Sequence, residues 1–244
     1  MFKKRTLTLL LFIISLTVNG QDWWGNSKKI KGNGNIVTVK RTTSAYDGIG
    51  VSGSFDVILI KGKEGEITIE GEENIIPYIE TDVKGNTLEV KYQKNINIRT
   101  TKRLVITITY KDIDKVSLGG SGNITNEGTI NSSDLSISLG GSGNITLNVD
   151  AHEVSSKIGG SGNIELSGAS NELNCALAGS GSIEAYKLST STLNANIAGS
   201  GSIKITVTNK IKAKVVGSGS IYYRGNPKYT DIKSVGSGDI IDKN

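Results

Sequence analysis

Gly119-Gly120-Ser121-Gly122-Asn123-Ile124 is the stretch that decides the fold, because its core returns six more times. The core reads GSGNI at 120, 141 and 160, GSGSI at 179, 199 and 217, and GSGDI at 236. The steps between first glycines are 21, 19, 19, 20, 18 and 19 residues. Self-similarity at a period of this size predicts a solenoid, in which each repeat is one coil that buries its apolar face only against its neighbours.

Numbering each repeat from the first Gly of GSG, position +4 is always isoleucine: Ile124, Ile145, Ile164, Ile183, Ile203, Ile221 and Ile240. Position −2 is Leu118, Leu139, Ile158, Leu177, Ile197 and Val215, then Ser234. Position −6 is Leu135, Val154, Leu173, Leu193 and Ile211. These positions share one parity, and side chains two apart on a strand point the same way. Even positions therefore face inward, while Ser at +1 and Asn, Ser or Asp at +3 face water. The period is that of a strand, not of a helix.

Both motif glycines are also even. An inward glycine fills no space and suits a sharp corner or close backbone approach. The corners expected are Gly120 and Gly122, Gly141 and Gly143, Gly160 and Gly162, Gly179 and Gly181, Gly199 and Gly201, Gly217 and Gly219, and Gly236 and Gly238. Each repeat reads as a strand, a corner at GSG, and a second strand from +3. A coil of 19 residues at about 3.3 Å each has a perimeter of roughly 60 Å. A leucine-rich repeat shares the period, but the L-x-x-L-x-L-x-x-N spacing is absent and the return segments carry no helical stripe.

The chain has 244 residues with 31 Gly, 2 Pro and 5% aromatics, a composition of turns and short strands. Residues 1–20 read as a secretory signal peptide: Lys3, Lys4 and Arg5, an apolar run from Leu7 to Val18, then Asn19-Gly20 with cleavage expected near Gly20. The run is short for a membrane span, although an uncleaved anchor helix is the alternative. No Cys near that point marks a lipoprotein. The 28 basic and 23 acidic residues give +5, and without the three basic residues of the export signal the balance is +2. No basic tract remains to argue for nucleic acid. Cys175 is the one cysteine, so no internal disulfide framework exists, and its place in the −4 column beside Ser156 and Ala195 reads as core packing.

Residues 21–35, with Trp23 and Trp24, read as a flexible leader. Residues 36–115 carry strands of another rhythm around Ile36–Val39, Phe55–Ile60, Ile67–Ile69, Leu88–Tyr92 and Leu104–Tyr110. Turn signals at 61–65, 71–74 and 84–86 predict hairpins. Gly50–Phe55 resembles a degenerate GSG corner. This half is expected to cap the N-terminal end of the repeat solenoid, residues 116–244, so that 36–244 form one continuous domain. The polar last repeat either blocks further stacking or meets a partner.

A signal peptide, a β-rich first half with Tyr46-Asp47-Gly48-Ile49-Gly50-Val51, and a repeated G-S-G-x-I together resemble the putative auto-transporter adhesin family with a head GIN domain, common in Bacteroidetes. The likeness spans roughly residues 36–240. It implies a right-handed parallel β-helix-like, all-β solenoid of about seven coils, exported to the envelope or surface. It brings no catalytic residues and no cofactor, and a translocating barrel is not visible in the chain.

Other chemistries fit less well. Gly48–Gly53 matches G-x-G-x-x-G, but a strand follows where a dinucleotide site needs a helix. Gly119–Asn123 resembles the start of the calcium β-roll motif, but the acidic position is Asn, Asn, Asn, Ser, Ser, Ser and only then Asp239. A ladder of neutral hydrogen bonds is the expected role of that column, with no metal. Glycan-cleaving β-helices need converging acids. Here His152 has no obvious partner, and Glu70, Glu72 and Glu73 read as a solvated turn. Tyr186 and Tyr222 face outward after their corners and are candidates for stacking on a sugar or protein. The expected function is non-enzymatic adhesion or scaffolding toward a protein or glycan at the cell envelope, with an oligomer compatible. The alternatives are a periplasmic partner in envelope sensing and a carbohydrate-active enzyme.

Overall fold

The computed structural model describes residues 28–244. The expected signal peptide at 1–20 and the tryptophans lie outside the described residues. In the first half, β1 (Lys28–Lys31), β2 (Ile36–Thr42), β3 (Gly48–Gly53), β4 (Asp56–Lys61) and β5 (Glu66–Glu72) precede a 3-10 turn at Ile76–Tyr78. Then come β6 (Ile79–Lys84), β7 (Thr87–Tyr92), β8 (Ile96–Arg99) and β9 (Val105–Tyr110). The repeats contain β10 (Lys115–Gly120), β11 (Asn123–Glu127), β12 (Ile130–Gly141), β13 (Asn144–Gly160), β14 (Asn163–Gly179) and β15 (Ser182–Gly199). They end in β16 (Ser202–Gly217), β17 (Ser220–Arg224), β18 (Tyr229–Gly236) and β19 (Ile240–Asp242).

The repeats stack in parallel with corner on corner: Gly120 pairs with Gly141, Gly141 with Gly160, Gly160 with Gly179, and so on to Gly236. This is the all-β parallel solenoid that the period implied. The two motif glycines are required for different reasons. The first, as at Gly160, holds a φ of +139°, open to glycine alone among common residues. The second, as at Gly162, has an ordinary φ, but a Cβ there would strike the backbone of Gly143 and the Leu139 side chain. The close approach forms a bond cluster. Ser161 N and Gly162 N both donate to Gly141 O, at 2.9 and 3.0 Å, and Asn163 N donates to Gly143 O at 3.0 Å.

Ile124, Ile145, Ile164, Ile183, Ile203 and Ile221 are fully buried in one column, and Ile240 is half-buried because no coil covers it. Burying each isoleucine contributes about 1.5–3 kcal/mol, which only a stacked neighbour makes available.

Between one GSG corner and the next, the chain is not simply two strands. In β13, Ile145, Leu147, Val149 and Ala151 are buried, and then Val154, Ser156 and Ile158. The parity switches at His152 and Glu153, which both point outward. A second bend lies there, and an odd period of 19 residues demands such a switch. Ser170 and Thr190 occupy the same bend in the next two coils, buried, and satisfy each other through a Ser170 Oγ to Thr190 Oγ1 hydrogen bond of 3.0 Å.

The first half adds two rungs in an order that the chain does not follow. β3 lies between β7 and β10, and β4 lies between β9 and β11. The coil formed first in sequence is therefore the inner one, and β7 and β9 stack outside it. Gly53, with φ +146°, underlies Gly120 as the corner of the inner rung.

Only one of the expected hairpins forms. β6 and β7 pair antiparallel with Lys84 opposite Thr87, through Gly85 and Asn86, both at positive φ. Residues 61–65 instead carry the chain across β9, because both edges of β4 are occupied by β9 and β11. β5 pairs antiparallel with β9 on one side and β2 on the other. These antiparallel strands close the N-terminal end. Tyr46, from the segment that carried the family resemblance, is buried there and donates its hydroxyl to Thr109 O at 2.8 Å.

Two expectations need correction here. Residues 28–35, expected as leader, belong to the fold: β1 pairs in parallel with β8. Glu72, expected in a solvated turn, is only 2% exposed at the end of β5. Its carboxylate accepts from Gly34 N at 2.8 Å, Thr101 N at 2.8 Å and Thr101 Oγ1 at 2.6 Å. Gly32 packs directly on it, leaving no room for a side chain. Glu72 thus clamps the β1–β2 and β8–β9 connections onto β5. Desolvation alone raises its pKa, but the Thr101, Gly34 and Lys102 donors outweigh this and bring it down to about 2.

Candidate interaction faces

The stacked coils present two outward faces. The strands before the corners form the first. Its −1 column is Gly119, Gly140, Gly159, Ala178, Ala198 and Val216, in register from coil to coil. A Cβ at Gly140 or Gly159 would meet nothing within 4 Å. From Gly119 to Ala198 the column is therefore a lane with no side chain larger than a methyl group, and it ends at the exposed Val216. Toward the C-terminal end it deepens into a groove of about 430 Å³ lined by Ala176, Ala178, Ala198 and Val216, with Lys157 and Lys214 at its rim. At the other end, the β6–β7 hairpin overhangs the sheet and encloses about 650 Å³ above Gly50, Ser52 and Ser117. Glu89 projects there with Lys91 at 2.6 Å and Lys84 at 3.6 Å, and the Lys91 hydrogen bond holds its carboxyl below the usual range. Gly48–Gly53 form the floor, as strand β3 running into strand β4, so the G-x-G-x-x-G match is sheet geometry.

The strands after the corners form the second face. Tyr186 and Tyr222 both lie on it, half-buried. Each carries a cation: the Arg224 guanidinium lies 4.2 Å from the Tyr186 ring centre, and the Lys243 ammonium 5.5 Å from that of Tyr222. Lys204 pairs in register between Glu184 and Tyr222 and bonds Glu184 at 2.8 Å. Both rings stand on one face, yet their π-surfaces already have partners within the chain.

The +3 column at the edge of this face is a hydrogen-bonded ladder. Asn144 Nδ2 donates to Asn123 Oδ1 and Asn163 Nδ2 to Asn144 Oδ1, both at 2.9 Å, and Ser182 Oγ to Asn163 Oδ1 at 2.7 Å. Among the seven repeats the column holds one carboxylate, Asp239. Register adds Asp56, opposite Asn123. Asp56 accepts from Asn123 Nδ2 and Arg103 Nε, each at 2.6 Å. Burial pushes its pKa up, but these two donors carry the balance below the usual range. Among the described residues no three His, Cys, Asp or Glu side chains gather as a metal-binding group. His152, without an obvious partner in sequence, lies 2.9 Å from Asn171 Nδ2 in the next coil. Cys175 is buried between Ser156 and Ala195, and burial pushes its thiol up to about 12.

Stacked parallel coils with an uninterrupted outer face define a β-solenoid whose accessible features are sheet surfaces. The chain belongs to the family described as "putative auto-transporter adhesin, head GIN domain", whose model matches residues 45–227. A crystal structure of a putative adhesin from Bacteroides fragilis is 27% identical, covers 88% of this chain and 100% of its own, and superposes with a TM-score of 0.81. One described as a putative lipid binding protein from Parabacteroides distasonis is 28% identical over 88% and 100%, with a TM-score of 0.74. A putative adhesin from Parabacteroides merdae, at 24% identity over 89% and 100% and a TM-score of 0.66, shares the fold. No curated protein matches the chain. Among the described residues, no helix is long and apolar enough to cross a membrane.

Proposed function

We propose that this protein is a non-enzymatic adhesion module of the cell envelope, exported through residues 1–20, that binds a protein or glycan on its pre-corner face. The observation that carries this reading is the unbroken lane from Gly119 to Val216. Six coils in strict register leave a flat strip of glycine and alanine that ends at the exposed Val216, bordered by serine, asparagine and lysine. Such a strip lets an extended polymer approach the backbone closely. Membership of an adhesin family supports the same reading. The hydrogen-bonded ladders and cation-covered tyrosines on the other face act within the chain.

Protease shaving of intact cells, followed by mass spectrometry with a periplasmic marker as control, tests the address. Selective loss of repeat-region peptides is expected. Full protection with the marker intact would overturn surface adhesion and favour a periplasmic binding partner. On the purified protein, Ala178→Arg and Ala198→Arg should abolish glycan or protein capture without changing the melting curve.

A second reading follows from the lysine-rimmed apolar groove at Ala176, Ala178 and Val216, and from the relative described as lipid-binding. Sedimentation with anionic vesicles, lost on Lys157→Glu and Lys214→Glu, would establish it.

A further inference from the structure

The two ends of the solenoid are treated differently. Antiparallel strands close the N-terminal end, whereas the last coil lies open. β18 pairs in parallel with β16 on one side only, and every residue from Tyr229 to Gly236 is exposed. Among the described residues five large hydrophobic side chains are exposed, and three are in this strand: Tyr229 at 65%, Ile232 at 44% and Val235 at 62%. A strand edge of this kind offers a row of backbone donors and acceptors to another strand. The end of the coil is itself well formed. Asn244 bonds Gly225 through both amide atoms, at 2.9 and 2.6 Å, and Lys243 N donates to Tyr223 O at 2.8 Å.

The side chains of β18 are complementary to those of the same strand reversed. Antiparallel pairing with a second copy about a two-fold axis at Ile232 sets Asp231 opposite Lys233 of the other copy, twice. On the same outer face it sets Tyr229 opposite Val235. On the inner face Thr230 meets Ser234, and Ile232 meets itself. Shifting the register by one residue opposes inward and outward side chains. Sliding by two in either direction sets Asp231 against Asp231 or Lys233 against Lys233, which is destabilising. Within one chain, Asp231 and Lys233 are 3.9 Å apart and well exposed, a weak pair.

We propose that the C-terminal coil is a homodimer interface, in which two copies join end to end by antiparallel pairing of Tyr229–Gly236 centred on Ile232. An isologous contact of this kind uses one patch on both copies and closes on itself, so it ends at two chains. Each charge gains a partner from the other copy, the inward Ile232 side chains cover each other, and Tyr229 and Val235 make a cross-strand contact on the outer face. The two rods become one, and both adhesion lanes run to the joint on the same sheet face, because Val216 is in register with Val235 of β18.

Charge reversal tests the register. Sedimentation velocity and light scattering over a concentration series should show a dimer for the wild type. Asp231→Lys and Lys233→Asp each create two like-charged oppositions and should weaken dimerisation by about tenfold or more. The double variant D231K/K233D restores both pairs and should recover the dimer. Ile232→Cys should form a covalent dimer on mild oxidation, because the two Ile232 positions face each other and Cys175 is buried. Circular dichroism should show all variants folded, since every changed side chain is exposed. A wild type that stays monomeric throughout the series would overturn the proposal. So would a dimer indifferent to both single reversals, or one in which Ile232→Cys fails to cross-link.

Discussion

Gly159 and Gly160 are neighbours in sequence, and replacing each in turn with alanine separates lane from corner. Gly160 holds φ at +139°, where an alanine costs about 1–3 kcal/mol. Its Cβ would also press on the O, N and C atoms of Gly141, which are backbone and cannot rotate away. Relief requires the two coils to part, weakening the bonds from Ser161 N and Gly162 N to Gly141 O, at about 1 kcal/mol each. Together these give about 3–5 kcal/mol. For a chain of this size that lowers the melting temperature by about 10 °C. At Gly159 the φ is not positive and a Cβ meets nothing within 4 Å. Alanine there should be neutral or raise stability by about 0.5 kcal/mol, by restricting the unfolded chain. The protein already carries Ala178 and Ala198 at the equivalent places, in register with Gly159. Thermal unfolding followed by far-UV circular dichroism reads both variants. If Gly160→Ala melted within about 2 °C of the wild type, the stacked-corner account would be wrong.

Two further perturbations probe the interior and the cap. Ile183 lies fully buried in mid-stack, so Ile183→Asp should cost more than about 4 kcal/mol and unfold several coils together; hydrogen exchange should show protection lost from Ile164 through Ile203. Glu72 has a folded pKa of about 2, below its ordinary 4.5, so it stabilises the fold above pH 4.5 and the contribution fades as pH falls toward 2. Glu72→Gln should therefore lose about 2 kcal/mol at neutral pH, through the weakened bonds from Thr101 and Gly34, and flatten the stability profile between pH 4.5 and 2. A variant that kept the wild-type acid profile would remove Glu72 from that role.

The repeat itself determined much of this molecule. A motif recurring every 18 to 21 residues puts like residues at like places, so the glycine corners, the Ile124-to-Ile240 column and the neutral +3 ladder were readable without coordinates. In a solenoid, contacts link each coil to the next, and a local period encodes them. What only the tertiary structure decided lies where periodicity fails. The inner placement of β3 and β4 depends on which edges remain free for β7, β9 and β10, and no spacing records that. The second bend was hidden because a parity switch over two residues leaves no repeated glycine. Glu72 looked solvated because its donors come from Gly34 and Thr101, 38 and 29 residues away. Tyr186 and Tyr222 looked free for the same reason: Arg224 and Lys243 reach them from later coils. Sequence shows which side of a strand a residue takes; only the assembled coils show what lies over it, because that neighbour is brought there by stacking and not by chain order.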